Sequence, residues 1–272
     1  MISVAAEPLF SLGGFPVTNA IVNAWIVVLL FTFLGFVIRS RASLVPKGFL
    51  NFMDWAVEFL LQEMEKVTGD RARARRFAPI CLSLFLLVLV SNWMGLLPGV
   101  GSIGVHPTHG GEDVLIPLFR AATSDLNFTL AIAAFSIVAT HVFGILALGP
   151  VAHVSKFVKI RGIVQALKHG PMDVMVAVVE FFVGLLEIIS EFAKTLSLAL
   201  RLFGNVFAGE VLLTVIYSLV SLVVPLPFLF LELLVGIIQA TVFAMLVLVF
   251  LKSMTEGHAG EDHAPAVGAA AH

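Results

Sequence analysis

Five apolar runs dominate this chain, at about 19–38, 77–97, 126–148, 171–219 and 227–251. Roughly 20 apolar residues cross the hydrocarbon core of a bilayer as a helix. Charged residues make up 12% of the sequence, about half the usual share of a soluble domain, and the mean hydropathy is +1.04. These features predict an all-α polytopic membrane protein, with residues 1–272 forming a single membrane domain. The net charge of −2 says nothing about partners, because position along the chain matters more than the sum. A single cysteine, Cys81, excludes an internal disulfide and a multi-thiolate metal site.

The segment between the first two runs has a different character. Phe49, Phe52, Met53, Ala56, Phe59, Leu60 and Met64 recur at three- and four-residue spacing, with Asp54, Glu58, Glu63 and Glu65 among them. This spacing predicts an amphipathic helix over about 46–66 lying in the interface plane. A re-entrant hairpin is the alternative. The N-terminus has no basic region ahead of its apolar run, so that run is expected to be a retained span.

Orientation follows from the basic residues. Arg39, Arg41, Lys47, Lys66, Arg71, Arg73, Arg75 and Arg76 follow the first run, and Lys156, Lys159, Arg161 and Lys168 follow the third. Lys252 follows the fifth. The loop after the second run carries one basic residue, Arg120, with Glu112, Asp113 and Asp125. The N-terminus is therefore expected outside and the C-terminus inside. The small and polar residues from about 255 to 272 read as a disordered tail, and His258, His263 and His272 as solvated within it. His106 and His109 receive the same reading in the outside Gly-rich loop.

The fourth run is the unusual one. It contains Glu180, Glu187, Glu191, Lys194, Arg201, Asn205 and Glu210. At 100° per residue, Glu187, Lys194, Arg201 and Asn205 share one stripe, while Glu210 falls on roughly the opposite side from Arg201. That geometry predicts Glu210 facing the fifth run, which carries Glu232 and Gln239 on one face, about 10 Å apart along the axis. Ionisable groups at membrane depth usually line an ion or proton path. Arginine stays charged whatever surrounds it, whereas burial and neighbouring charge tune a carboxylate. A fixed cation beside acids suits the handling of protons or another small cation. Ser197, Gly204 and Ala208 flank Arg201 and leave room for a closely approaching helix.

The stretch Leu196–Glu210, LSLALRLFGNVFAGE, strongly resembles subunit a of the F-type rotary ATP synthases. NWMGLLPG at Asn92–Gly99 and IIQATVFAMLVLVFL at Ile237–Leu251 are similar to two further motifs of that family. The resemblance implies an ion-translocating, non-catalytic stator subunit without a cofactor. It implies five membrane helices, the last two long, tilted and packed against a rotating ring of proteolipid c subunits. Two offset half-channels would reach that c-ring from opposite sides, with Arg201 separating them. Asn205 and Gln239 match polar residues near the arginine, Glu210 and Glu232 match a pair lining the outside half-channel, and Glu187 matches an acid of the inside one. Some bacterial relatives carry a histidine where Glu232 stands, and two close carboxylates can share a proton. Ser190, Glu191 and Lys194 are assigned to the inside half-channel from the helical wheel. The implied partners are the c-ring, peripheral-stalk b-type subunits, the rest of the complex and membrane lipid, with no nucleic acid. The implied setting is a bacterial inner membrane.

At about 4 Å an ion pair is worth on the order of 4 kcal/mol at an effective dielectric near 20. One charge crossing 100 mV yields about 2.3 kcal/mol. A dry, static pair would be a trap at that scale, so water is expected to reach Arg201. Two other readings compete. A self-contained proton- or sodium-coupled transporter would move its substrate as the purified chain alone. An intramembrane hydrolase would need a Gly-x-Ser-x-Gly, a His-Glu-x-x-His or paired aspartates in the spans, and the sequence has none of these.

Overall fold

The computed structural model describes residues 6–41, 47–97, 104–105, 108–109, 112–113, 116–117, 120–157, 171–219 and 224–256. The expected tail, with His258, His263 and His272, lies outside the described residues, as do His106, Lys159, Arg161 and Lys168. Seven α-helices are described: α1 (Asn19–Arg41), α2 (Phe49–Thr68), α3 (Arg71–Met94), α4 (Leu126–Leu148), α5 (Pro150–Phe157), α6 (Pro171–Leu219) and α7 (Pro225–Thr255). The chain is an all-α polytopic membrane protein. By length and composition α1, α3, α4 and α7 can each cross a bilayer. Helix α6 has 49 residues, a contour of about 74 Å at 1.5 Å per residue. That is more than twice the hydrocarbon thickness of about 30 Å.

Two compact units form: Met1–Ile137 with Glu191–Val249, and Val138–Ser190 with Phe250–His272. In the first, α3 packs against both α1 and α2. The join between α2 and α3 is built from local signals. Gly69 ends α2 in the left-handed region at φ 73°, which glycine adopts without a Cβ clash. Asp70 then caps α3, its carboxylate accepting from the N–H groups of Ala72 and Arg73. Because RARARR carries good helix formers, α3 begins before the apolar run at Phe77 does. Helix α2 buries Leu61, Met64 and Thr68 and exposes Phe52, Trp55 and Phe59. Those three rings form a row with centroids 6.0 Å apart. Its apolar residues thus serve two faces, one buried against protein and one exposed. Helix α1 likewise exposes Trp25, Leu29, Phe33 and Phe36.

Three short antiparallel ladders depart from a purely helical reading. Strands β1 (Pro8–Leu12) and β2 (Phe15–Thr18) pair with Leu12 opposite Phe15, around Gly13 and Gly14, both at positive φ. In the loop after α3, β3 (Gly104–Val105) pairs with β6 (Ile116–Pro117) and β4 (Thr108–His109) with β5 (Glu112–Asp113). That loop ends in a 3-10 turn at Ala122–Ser124.

In the second unit, Gly149 at φ 85° separates α4 from α5, and Pro150 opens α5 at the position where its missing N–H costs least. This short helix was not foreseen within the basic loop. His141 Nδ1 and His153 Nε2 meet at 3.2 Å, and Phe157 stacks edge-on against both rings.

Candidate ion-handling site

The second motif of the sequence explains how the site is framed. Asn92 is buried and accepts from Thr123 Oγ1 at 2.6 Å. Trp93 Nε1 donates to the carbonyl of Leu233 in α7 at 3.3 Å, and its ring lies where a side chain on Gly236 would stand. Gly95 presses on Ala121, whose Cβ would be 2.7 Å from any Cβ placed there. NWMG therefore fastens the end of α3 to α7 and to the loop leading into α4. Asn19 and Asn23 of α1 hold the same loop from another side, donating to the carbonyls of Pro117 at 3.3 Å and Arg120 at 2.7 Å.

On this anchored loop sits Arg120. Its side chain is only 6% exposed, and its Nε lies 3.1 Å from Oε1 of Glu210 and 3.2 Å from Oε2. Arg120 is the residue of this arrangement that sequence reasoning did not assign to it. Its one available signal was solitude, as the single basic residue of the loop between α3 and α4. Glu210 was expected to face the fifth run; its carboxylate meets the Arg120 guanidinium of the loop after α3. The wheel fixed its direction away from Arg201 but not what stood there.

Across from it, Asn205 of α6 donates to Gln239 of α7 through Nδ2 and Oε1 at 2.6 Å. The carboxylate of Glu232 lies against Gly209, where any Cβ would collide with it. Glu232 thus rests over Gly209, which has no side chain to exclude it. A groove of about 440 Å³ runs between the two helices, lined by Asn205, Ala208, Gly209, Glu232, Ile238 and Gln239, among others.

Arg201 stands apart from these contacts. It is exposed, and among the described residues no carboxylate lies within ion-pair distance of it. Ser197, Gly204 and Ala208 are exposed beside it, and nothing lies within 4 Å of where a Gly204 side chain would stand. Gly204 of the close-approach surface that the sequence suggested thus meets no neighbour among the described residues, whereas Ala208 lines the groove toward α7. Farther up α6, Lys194 donates to Glu191 at 2.6 Å, and Glu191 is buried. Glu187 is half-buried and Ser190 exposed, both within the second compact unit.

Outside the spans, Glu58 is held below the usual carboxylate range by its hydrogen bond from Arg71, at 2.6 Å.

A polytopic helical membrane protein that seats acids, amides and an arginine with no ion pair among the described residues inside apolar helices belongs to the class that handles ions. Which one follows from its relatives. The sequence model of the family described as ATP synthase A chain matches residues 21–252, and the chain belongs to that family. It is 28% identical over 258 residues to the ATP synthase subunit a of Moorella thermoacetica, covering 95% of this chain and 100% of the relative. It is 31% identical over 256 residues to that of Syntrophobacter fumaroxidans, covering 93% and 91%. It is 31% identical over 243 residues to that of Trichlorobacter lovleyi, covering 88% and 89%.

Proposed function

We propose that this chain is the ion-translocating stator of an F-type ATP synthase, providing two offset half-channels to a c-ring. The observation that carries this reading is Arg201, an exposed guanidinium with no ion pair among the described residues, set within the long, mainly apolar helix α6. An unpaired cation at membrane depth is costly, so its counter-charge is expected from another molecule. A ring carboxylate arriving beside Ser197, Gly204 and Ala208 fits that need. Arg201 favours its ionised form and bars direct passage of protons between the half-channels. Glu210, Glu232, Asn205 and Gln239 line the outside half-channel, and Glu187, Ser190, Glu191 and Lys194 the inside one.

In this reading α6 is the fifth crossing, strongly tilted with α7 against the ring. The N-terminus is outside and the C-terminus cytoplasmic, in a bacterial inner membrane. The subunit performs no ATP chemistry and binds the c-ring and peripheral-stalk b-type subunits. The test is Arg201→Ala in the reconstituted complex. ATP-driven proton pumping should fall to background while the complex still copurifies with its small proteolipid; pumping retained at the wild-type rate overturns the reading.

A further inference from the structure

The second compact unit holds a pair of histidines to which the half-channel reading gives no part. Gly149 and Pro150 turn the chain between α4 and α5. The turn brings His153 back onto His141, Nε2 to Nδ1 at 3.2 Å. His141 and Gly144 lie one turn apart on α4, and His153 and Phe157 one turn apart on α5. His153 is buried, at 4% exposure, because its ring lies over Gly144. A Cβ at Gly144 would stand 2.6 Å from Cε1 of that ring and 2.7 Å from Nδ1. Phe157 meets both imidazoles edge-on, with centroids 5.7 and 5.6 Å away. The glycine beneath and the phenylalanine beside thus set the direction of the two rings.

Imidazole nitrogen suits zinc, copper and nickel ions. Two nitrogens held about 2.0–2.1 Å from one zinc ion at a near-tetrahedral angle stand about 3.3 Å apart. The pair already has that spacing, so an ion can join the two nitrogens by a tilt of the rings, without movement of the helices. In the hydrogen-bonded pair one ring places its proton at the contact. On binding an ion, that proton moves to the other nitrogen of the same ring, and both contact nitrogens offer lone pairs. For His153 the other nitrogen is Nδ1, on the Gly144 side, and the carbonyl oxygen of Met254 in the last turn of α7 lies 3.0 Å from the same Cβ position. A ligating histidine commonly donates its second N–H to such a carbonyl, which fixes its tautomer. Among the described residues no group of three or more His, Cys, Asp or Glu side chains gathers at one point. Structural zinc sites use four protein ligands, so two histidines describe an exchangeable site completed by water or backbone oxygen.

We propose that His141 and His153 form a binding site for one divalent transition-metal ion of the zinc and copper class, which ties α5 to the end of α4. The ion exchanges one hydrogen bond for two coordinate bonds and holds the turn at Gly149 closed. Copper(II) binds more tightly than zinc, following the general order for nitrogen ligands. Magnesium, which takes oxygen ligands, is not bound there. The site is independent of the half-channel reading, since none of its residues belongs to either half-channel.

The experiment uses the intact purified complex, with Cu²⁺ and Zn²⁺ as probes and Mg²⁺ as the control. The electron paramagnetic resonance spectrum with Cu²⁺ should contain a component coupled to two imidazole nitrogens, and His141→Gln should remove it. Loss of either histidine should weaken binding by at least the roughly 10–100-fold that follows loss of a supporting partner. Zn²⁺ should slow amide exchange across residues 149–157 in wild type, as Mg²⁺ should not, and His141→Gln should abolish the slowing. Equal spectra and affinities in wild type and an assembled His141→Gln complex mean an adventitious ion only and overturn the proposal. Where neither His141→Gln nor His153→Gln assembles, the wild-type exchange measurement decides, and amides 149–157 that Zn²⁺ leaves unchanged overturn it. Failure of the half-channel function in the Arg201→Ala test leaves all of these readouts unaffected.

Discussion

Two arginines of the first compact unit, Arg120 and Arg201, have opposite settings. Arg120 is buried, anchored from α1 through its own carbonyl, and paired with Glu210 inside the chain. Arg201 is exposed, flanked by small residues, and unpaired among the described residues. The first meets its carboxylate within the chain. The second meets none among the described residues, and under the proposed function a ring carboxylate supplies it. Burial with a partner makes a charge structural, and exposure without one makes it available, although the side chain is the same.

That contrast can be broken by exchanging what each arginine has. The largest effect is expected at Arg201, where removal of the guanidinium should take pumping to background with the complex still assembled. At Arg120 the cost should fall on stability as well. Leaving one member of a buried pair without the other typically costs about 3–5 kcal/mol. An R120A complex should therefore denature at lower temperature in a thermal-shift measurement, whereas Arg201→Ala should leave that temperature close to wild type. Equal thermal losses at the two positions would erase the distinction.

A milder probe sits between them. Gly209→Ala adds a methyl group where the Glu232 carboxylate lies. The colliding atoms are the flexible end of a side chain, so the carboxylate should swing aside with little loss of fold. The expected result is a several-fold drop in ATP synthesis without a matching fall in thermal stability. The smallest effect belongs to Glu58 and Arg71, a half-exposed pair outside the site. A carboxylate whose folded pKa is lowered contributes stability above its unfolded pKa and loses it as pH falls through the folded value. Wild type and E58Q should therefore separate slightly in melting temperature near neutral pH and converge in acid.

Much of the fold was legible because apolar length is a strong signal. Helices α4 and α6 cover the runs expected at about 126–148 and 171–219, α1 and α7 reach a few residues beyond theirs into charged or proline-bearing flanks, and α3 starts ahead of its run in the basic RARARR segment and stops at Met94, short of the expected end near 97. The hairpin at Gly13 and Gly14 was readable in principle, since paired glycines between apolar stretches are a turn signal. It was overlooked beside the longer runs. Periodicity placed Asn205 with Arg201 and Gln239 with Glu232, but it says nothing about which helices meet, so the Asn205–Gln239 bond needed the fold. Arg120 was less accessible still. Its importance comes from a carboxylate 90 positions away, and no local pattern encodes that.

The same separation has a consequence for how the protein is made. A ribosome adding roughly 5–20 residues per second needs about 5–18 s to travel from Arg120 to Glu210. Throughout that interval the nascent chain carries a cation destined for burial whose anion has not yet been synthesised. Asn23 and Asn92, by contrast, are already present to receive the loop. The order of synthesis therefore runs from neutral docking to charge neutralisation, and the frame around Arg120 can form before its carboxylate partner Glu210 exists.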